Sequence, residues 1–137
     1  FVASPDYIHN LKNRGIRETD ILENATLMLL DKNNMSRQYI DEYLLKNQLS
    51  AGETIDISNM DLLIDFAKIG VGVACVIKAF VAKELADGSL LEVPFSLPIT
   101  PREVGFAYKE NTKMSKSLQC FIRFYESYHL PGHTQTP

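Results

Sequence analysis

Tryptophan is absent from this chain and cysteine occurs only twice. Two thiols are too few for a disulfide scaffold, which compensates for a small core with dense cysteine spacing. Cys75 falls in an apolar stretch that predicts a buried strand and Cys120 in a helical one, so both are read as reduced packing residues. No apolar run approaches the roughly 18 residues needed to cross a bilayer. No basic segment precedes an apolar one at the start, as a secretory signal requires. The expectation is a cytoplasmic protein with no membrane partner. An excess of positive charge is also missing: 14 lysines and arginines face 17 aspartates and glutamates, for a formal charge of −3. The basic residues are scattered, with nothing denser than Lys12-Asn13-Arg14, which argues against a nucleic-acid surface on this polypeptide.

Signatures of catalysis are missing as well. His9, His129 and His133 lack metal-ligand spacing, and no nucleophile elbow, Walker loop or dinucleotide-binding glycine pattern occurs. Gly70-Val71-Gly72 reads as a helix stop. Asp61 and Asp65, four residues apart, read as a solvated helix face. These absences lead to the expectation of a non-enzymatic protein without cofactor or metal.

What is present is regular alternation of strands and helices in a chain that is 45% hydrophobic, enough for one domain with a real core. Pro5-Asp6 starts a helix that runs to about Arg14 and stops at Gly15. Thr26 to Asp31 predicts a buried strand, and Asn34-Met35-Ser36-Arg37 opens a helix in which Tyr39, Ile40, Tyr43 and Leu44 recur at helical spacing, ending near Asn47. Thr54 to Ile57 predicts a short strand. Asn59 then caps a helix with Leu62, Leu63, Phe66 and Ala67 assigned to its apolar face, Gly70 takes the left-handed stop, and Val71 to Ile77 suits a strand buried on both faces. A short helix closed by Asp87-Gly88 leads to another strand. Val104 to Tyr108 predicts a further strand, and Ser115 to Tyr128 a last helix with a stripe of Leu118, Phe121, Ile122 and Tyr125. This alternation favours a mostly parallel sheet covered on both sides.

The succession from Asn59 to Val93, a capped helix, glycine stop, buried strand, short helix and the turn Leu85-Ala86-Asp87-Gly88-Ser89-Leu90, resembles the effector-binding domain of LysR-type transcriptional regulators. Phe1 to Tyr7 resembles the strand and turn that enter the second subdomain of that domain, and Val104 to Tyr108 with Met114 to Leu118 resembles its end. The resemblance reaches about Tyr128. It implies an α/β, periplasmic-binding-protein-like (type II) fold with a Rossmann-like subdomain and a mostly parallel sheet. On that pattern residues 1–100 form the second subdomain, about 101–130 return to the first, and 131–137 are a disordered tail. The winged helix-turn-helix that contacts DNA in the family lies in a domain absent from this chain.

In open α/β sheets ligands bind outside the carboxyl ends of strands, where helix N-termini present unpaired amides. Lys32-Asn33-Asn34-Met35-Ser36 and Ser58-Asn59-Met60 are two such places. The resemblance makes the first loop an effector contact, with Asn34, Met35 and Ser36 leading and Asn33 and Asn59 weaker; Asn and Ser are also ordinary helix caps. Peroxide-sensing members carry a cysteine in the matching loop and this chain has none, which points to a small-molecule effector in place of a redox signal, and the polar helix starts favour an anionic one. The implied function is ligand sensing within a homo-oligomer bound to DNA. The alternative is a lobe of a solute-binding protein or of a two-lobed α/β enzyme.

Overall fold

The structure is a computed structural model that describes residues 1–94, 97–102 and 114–127. The chain divides into two compact units, Phe1–Thr100 and Pro101–Pro137.

The first unit is built on five strands: β1 (Val2–Ala3), β2 (Leu27–Leu30), β3 (Thr54–Ile57), β4 (Val73–Ala74) and β5 (Leu91–Glu92). Its helices are α1 (Pro5–Asn13), α2 (Ile21–Asn24), α3 (Met35–Lys46), α4 (Met60–Lys68) and α5 (Ala82–Asp87). The spatial order is β3-β2-β4-β1-β5, with β2 parallel to both β3 and β4, and β1 antiparallel to β4 and β5. The sheet is therefore mixed but mostly parallel, as expected.

Alternation along the strands divides the core into two layers, because successive side chains point to opposite faces. Ala3, Leu27, Leu29 and Val73 meet Leu11, Leu22, Ile40 and Leu44 on one side. Val2, Met28, Leu30 and Ala74 meet Leu63, Ile64, Ala67 and Val81 on the other. The helices begin and end at the residues that punctuate the sequence. Ser4 Oγ accepts from the Tyr7 amide at 3.3 Å ahead of Pro5, which has no N–H to lose at the first helical position. Gly70 closes α4 at φ +82°.

Several expectations are corrected. The buried face of α4 is Leu63, Ile64 and Ala67, while Leu62 is exposed and Phe66 only half-buried. The apolar side is rotated toward Ile64 because α4 lies against β1, β2, β3 and β4, and Leu63, Ile64 and Ala67 are its buried residues. The strand predicted from Val71 to Ile77 shrinks to Val73–Ala74, and Val71 and Ile77 are exposed. Gly72 explains its start. A Cβ there would come within 2.4 Å of the Thr26 carbonyl oxygen, the same oxygen that accepts from the Val73 amide at 2.9 Å. The segment Glu18–Asn24, a 3-10 turn followed by α2, has no counterpart in the expected elements: it is too short for a periodic signal and is held by the Arg17–Asp20 ion pair at 2.8 Å and burial of Ile21 and Leu22. Cys75 is half-buried against the core, but Cys120 is exposed and is not a packing residue.

In the second unit the described element is α6 (Lys116–Ser127), close to the expected span, with the Ser115 hydroxyl accepting from the Leu118 amide. The strand expected at Val104 to Tyr108 and the tail from 131 lie outside the described residues. Among the described residues no helix is long and apolar enough to cross a membrane.

The rotated face of α4 sets an expected outcome. Leu63→Ala, at a fully buried site, should cost about 2 to 5 kcal/mol, and Leu62→Ala less than about 1 kcal/mol. Gly72→Ala should cost roughly 1 to 3 kcal/mol because backbone must move. Urea unfolding of the three variants is the check, and equal losses at Leu62 and Leu63 would contradict the observed face.

Candidate functional site

Because β2 and β3 are parallel and pair with Leu30 opposite Ile57, both strands end at one edge of the sheet. Each runs through a short polar loop into a helix, so α3 and α4 begin over adjacent strands at that carboxyl edge. Parallel β4 also points to it, with the Cys75 amide donating to Met28 O at 3.1 Å.

The five candidate residues all belong to this edge. Asp31 to Asn34 make a turn in which the Asn34 amide donates to Asp31 O at 2.8 Å. Asn34 is extended and its Oδ1 accepts from the Ser36 amide at 2.8 Å, capping α3. Asn59 does the same for α4, with Oδ1 accepting from the Leu62 amide at 2.8 Å. Asn33, Asn34, Met35 and Asn59 are exposed, and Ser36 is half-buried. Both asparagines thus have a structural task, and their carboxamide NH2 groups remain the donors that a ligand could use.

One side chain at this edge escaped the sequence reading. Arg37, in the first turn of α3, is only 7% exposed. Its Nε donates to both oxygens of Asp41 at 2.8 and 3.0 Å, and its NH1 donates to Leu30 O at 2.9 Å and to Asp56 Oδ1. Burial opposes the guanidinium charge, but the hydrogen bonds and Coulomb attraction of Asp56 and Asp41 outweigh it and hold the pKa above its ordinary value. The arginine ties three elements together: its own helix, the last residue of β2, and β3. Two signals in the sequence bear on it, an aspartate four residues on along the same helix and an aspartate next to last in a strand. The second becomes a partner only through the β2–β3 register.

The edge is open. A small hollow of about 40 Å³ lies elsewhere, bordered by Glu18, Leu22, Leu49 and Pro94. Among the described residues no three histidine, cysteine, aspartate or glutamate side chains gather as metal ligands.

With fold and edge defined, comparison with known proteins identifies the class. Residues 1–129 match the family model of the LysR substrate binding domain, and the chain belongs to that family. Its α/β fold is periplasmic-binding-protein-like. Among solved structures it is similar to the regulatory domain of HypT from Salmonella typhimurium in its apo-form, at 21% identity and a TM-score of 0.64, over 91% of this chain and 57% of that one. It is likewise similar to the regulatory domain of the HypT M206Q mutant from the same organism, at 20% identity and a TM-score of 0.61, over 91% of this chain and 60% of that one. The chain therefore spans less than two thirds of those regulatory domains. A search of curated proteins finds no match.

Replacing Arg37 removes hydrogen bonds to charged groups, each worth about 1.5 to 3 kcal/mol. Arg37→Ala should therefore lower unfolding stability by at least about 2 kcal/mol, whereas Asp61→Asn on the exposed face should change it by less than about 0.5 kcal/mol. Chemical denaturation of both variants checks this, and a neutral Arg37→Ala would show that the cluster is decorative.

Proposed function

We propose that this chain is the effector-sensing part of a cytoplasmic, non-enzymatic LysR-type transcriptional regulator, and that a small anionic metabolite binds at the α3 start, touching Asn33, Asn34, Met35 and Ser36, with Asn59 at the neighbouring helix start. The observation that carries this reading is the convergence of two capped helix N-termini at one sheet edge in a chain of this family. Their amides and the positive ends of two helix dipoles favour negative charge. Arg37, already neutralised by Asp41 and Asp56, supports the edge from beneath and leaves recognition of the anion to backbone N–H groups, the Ser36 hydroxyl and the asparagine NH2 groups. Homo-oligomers are the working form, and DNA is engaged through a separate domain whose geometry effector occupancy alters. A lobe of a solute-binding protein or of an enzyme is the weaker reading, because the family match points to regulation.

The test begins with a thermal-shift screen of small carboxylates and phosphate esters against the regulator, followed by calorimetry on the compound that stabilises it. Ser36→Ala should weaken that compound roughly tenfold or more, the equivalent of about 1.5 kcal/mol. Asn34→Ala should weaken it similarly and lower stability by about 1 kcal/mol through loss of the cap. Unchanged affinity in both variants would remove this loop from the site. In mobility-shift titrations at physiological salt this polypeptide alone should leave duplex DNA unshifted, and submicromolar binding would overturn the division of roles.

A further inference from the structure

The helix that begins at the candidate effector edge also holds the chain on its way out of the first unit. Tyr39 and Tyr43 stand one turn apart on α3, both half-buried against the core layer that contains Ile40 and Leu44. The Tyr43 hydroxyl donates to Leu97 O at 2.6 Å, and the Tyr39 hydroxyl donates to Thr100 O at 2.6 Å. Because the later tyrosine holds the earlier carbonyl, the strap Leu97–Thr100 runs antiparallel to α3, toward its first turn. Ile99, between the two anchor points, packs on the same core layer.

The strap is built to be stiff. Both accepting carbonyls precede a proline, Pro98 and Pro101. Proline fixes its own φ and confines the residue before it to extended backbone, so the segment has few internal motions with which to absorb a displacement. At the other end of the same helix, Arg37 sets where the first turn sits on β2 and β3. The backbone hydrogen bonds that tie successive turns of α3 together let it move as a rod over its three turns.

We propose that α3 is a coupling element, in which Arg37 positions the first turn at the effector edge and Tyr39 and Tyr43 pass any displacement of that turn to the Leu97–Thr100 strap. Its value as a signal path rests on the reading of the α3 start as the effector site; the mechanical coupling does not. Burial and the neighbouring Tyr39 raise the Tyr43 pKa above its ordinary value, so this phenol stays a hydrogen-bond donor across the physiological range.

The experiment is amide hydrogen exchange, read by mass spectrometry on the full chain, of the α3 first turn, the strap amides of Leu97, Ile99 and Thr100, and α5 as an internal control on the opposite side of the sheet. Arg37→Lys keeps the charge but cannot fork to three partners. It should speed exchange in the first turn and raise that of the strap about threefold or more, with α5 unchanged. Tyr39→Phe combined with Tyr43→Phe should raise strap exchange by itself, and adding Arg37→Lys to that background should then change the strap by less than about 1.5-fold while still loosening the first turn. Should Arg37→Lys fail to fold, Asp56→Asn makes the same comparison with a milder loss. A loosened first turn with an unaltered strap, or a further rise of equal size in the phenylalanine background, would overturn the coupling. No effector is needed, so this result and the calorimetric result on Ser36→Ala succeed or fail separately.

Discussion

Everything in the first unit is arranged around the burial of β2. Leu27, Met28, Leu29 and Leu30 are between 0 and 6% exposed, and each face of the strand serves a different layer. A four-residue apolar strand cannot be buried unless its polar backbone is paired on both sides, since an unpaired buried N–H or C=O costs free energy comparable to a lost hydrogen bond. Here β3 pairs along its full length, and β4 pairs at Leu27 and Met28. The amide of Thr26, just before the strand, donates to the Tyr7 hydroxyl at 3.0 Å, so even the approach to β2 is satisfied by a side chain from α1.

The carboxyl edge follows from this. Parallel partners on both sides of β2 require crossover helices, and each crossover returns the chain so that the next strand ends at the same edge. Two helix starts are then forced together over neighbouring strands. The consequence for chemistry is a surface rich in N–H donors and helix-dipole positive ends, beside carboxylates at Asp31, Asp41, Asp56 and Asp61. Arg37 keeps that edge in one piece, neutralising two of those carboxylates and occupying the carbonyl of Leu30.

Much of this was legible in the residues. Asn34, Asn59, Gly15, Gly70 and Gly88 act locally, through caps and left-handed stops whose physics involves only a few neighbouring residues. For the same reason the starts of α3 and α4, and with them the candidate loops, fell where expected. The errors occur where the decision was made at long range. Leu62 and Leu63 are equally apolar, and only the position of α4 on the sheet exposes the first and buries the second. Four of the seven residues from Val71 to Ile77 are β-branched, yet pairing lasts two residues, because Gly72 and the length of available partner strand set its limits.

Arg37 marks the boundary between the two kinds of information. Its residue type and its spacing from Asp41 can be read along the helix, and they suggest no more than a surface ion pair of small worth. That it is buried, and that Asp56 and the Leu30 carbonyl reach it, depends on the parallel register of β2 and β3. The sequence by itself determined the α/β class, most of the elements and the caps of α3 and α4, because those properties arise within a few residues of one another. Only the tertiary structure decided which helix faces are buried, that both helix starts share one edge, and that a single arginine and two tyrosines tie α3 to the sheet and to the strap, because each of those contacts joins residues that meet only when the strands pair.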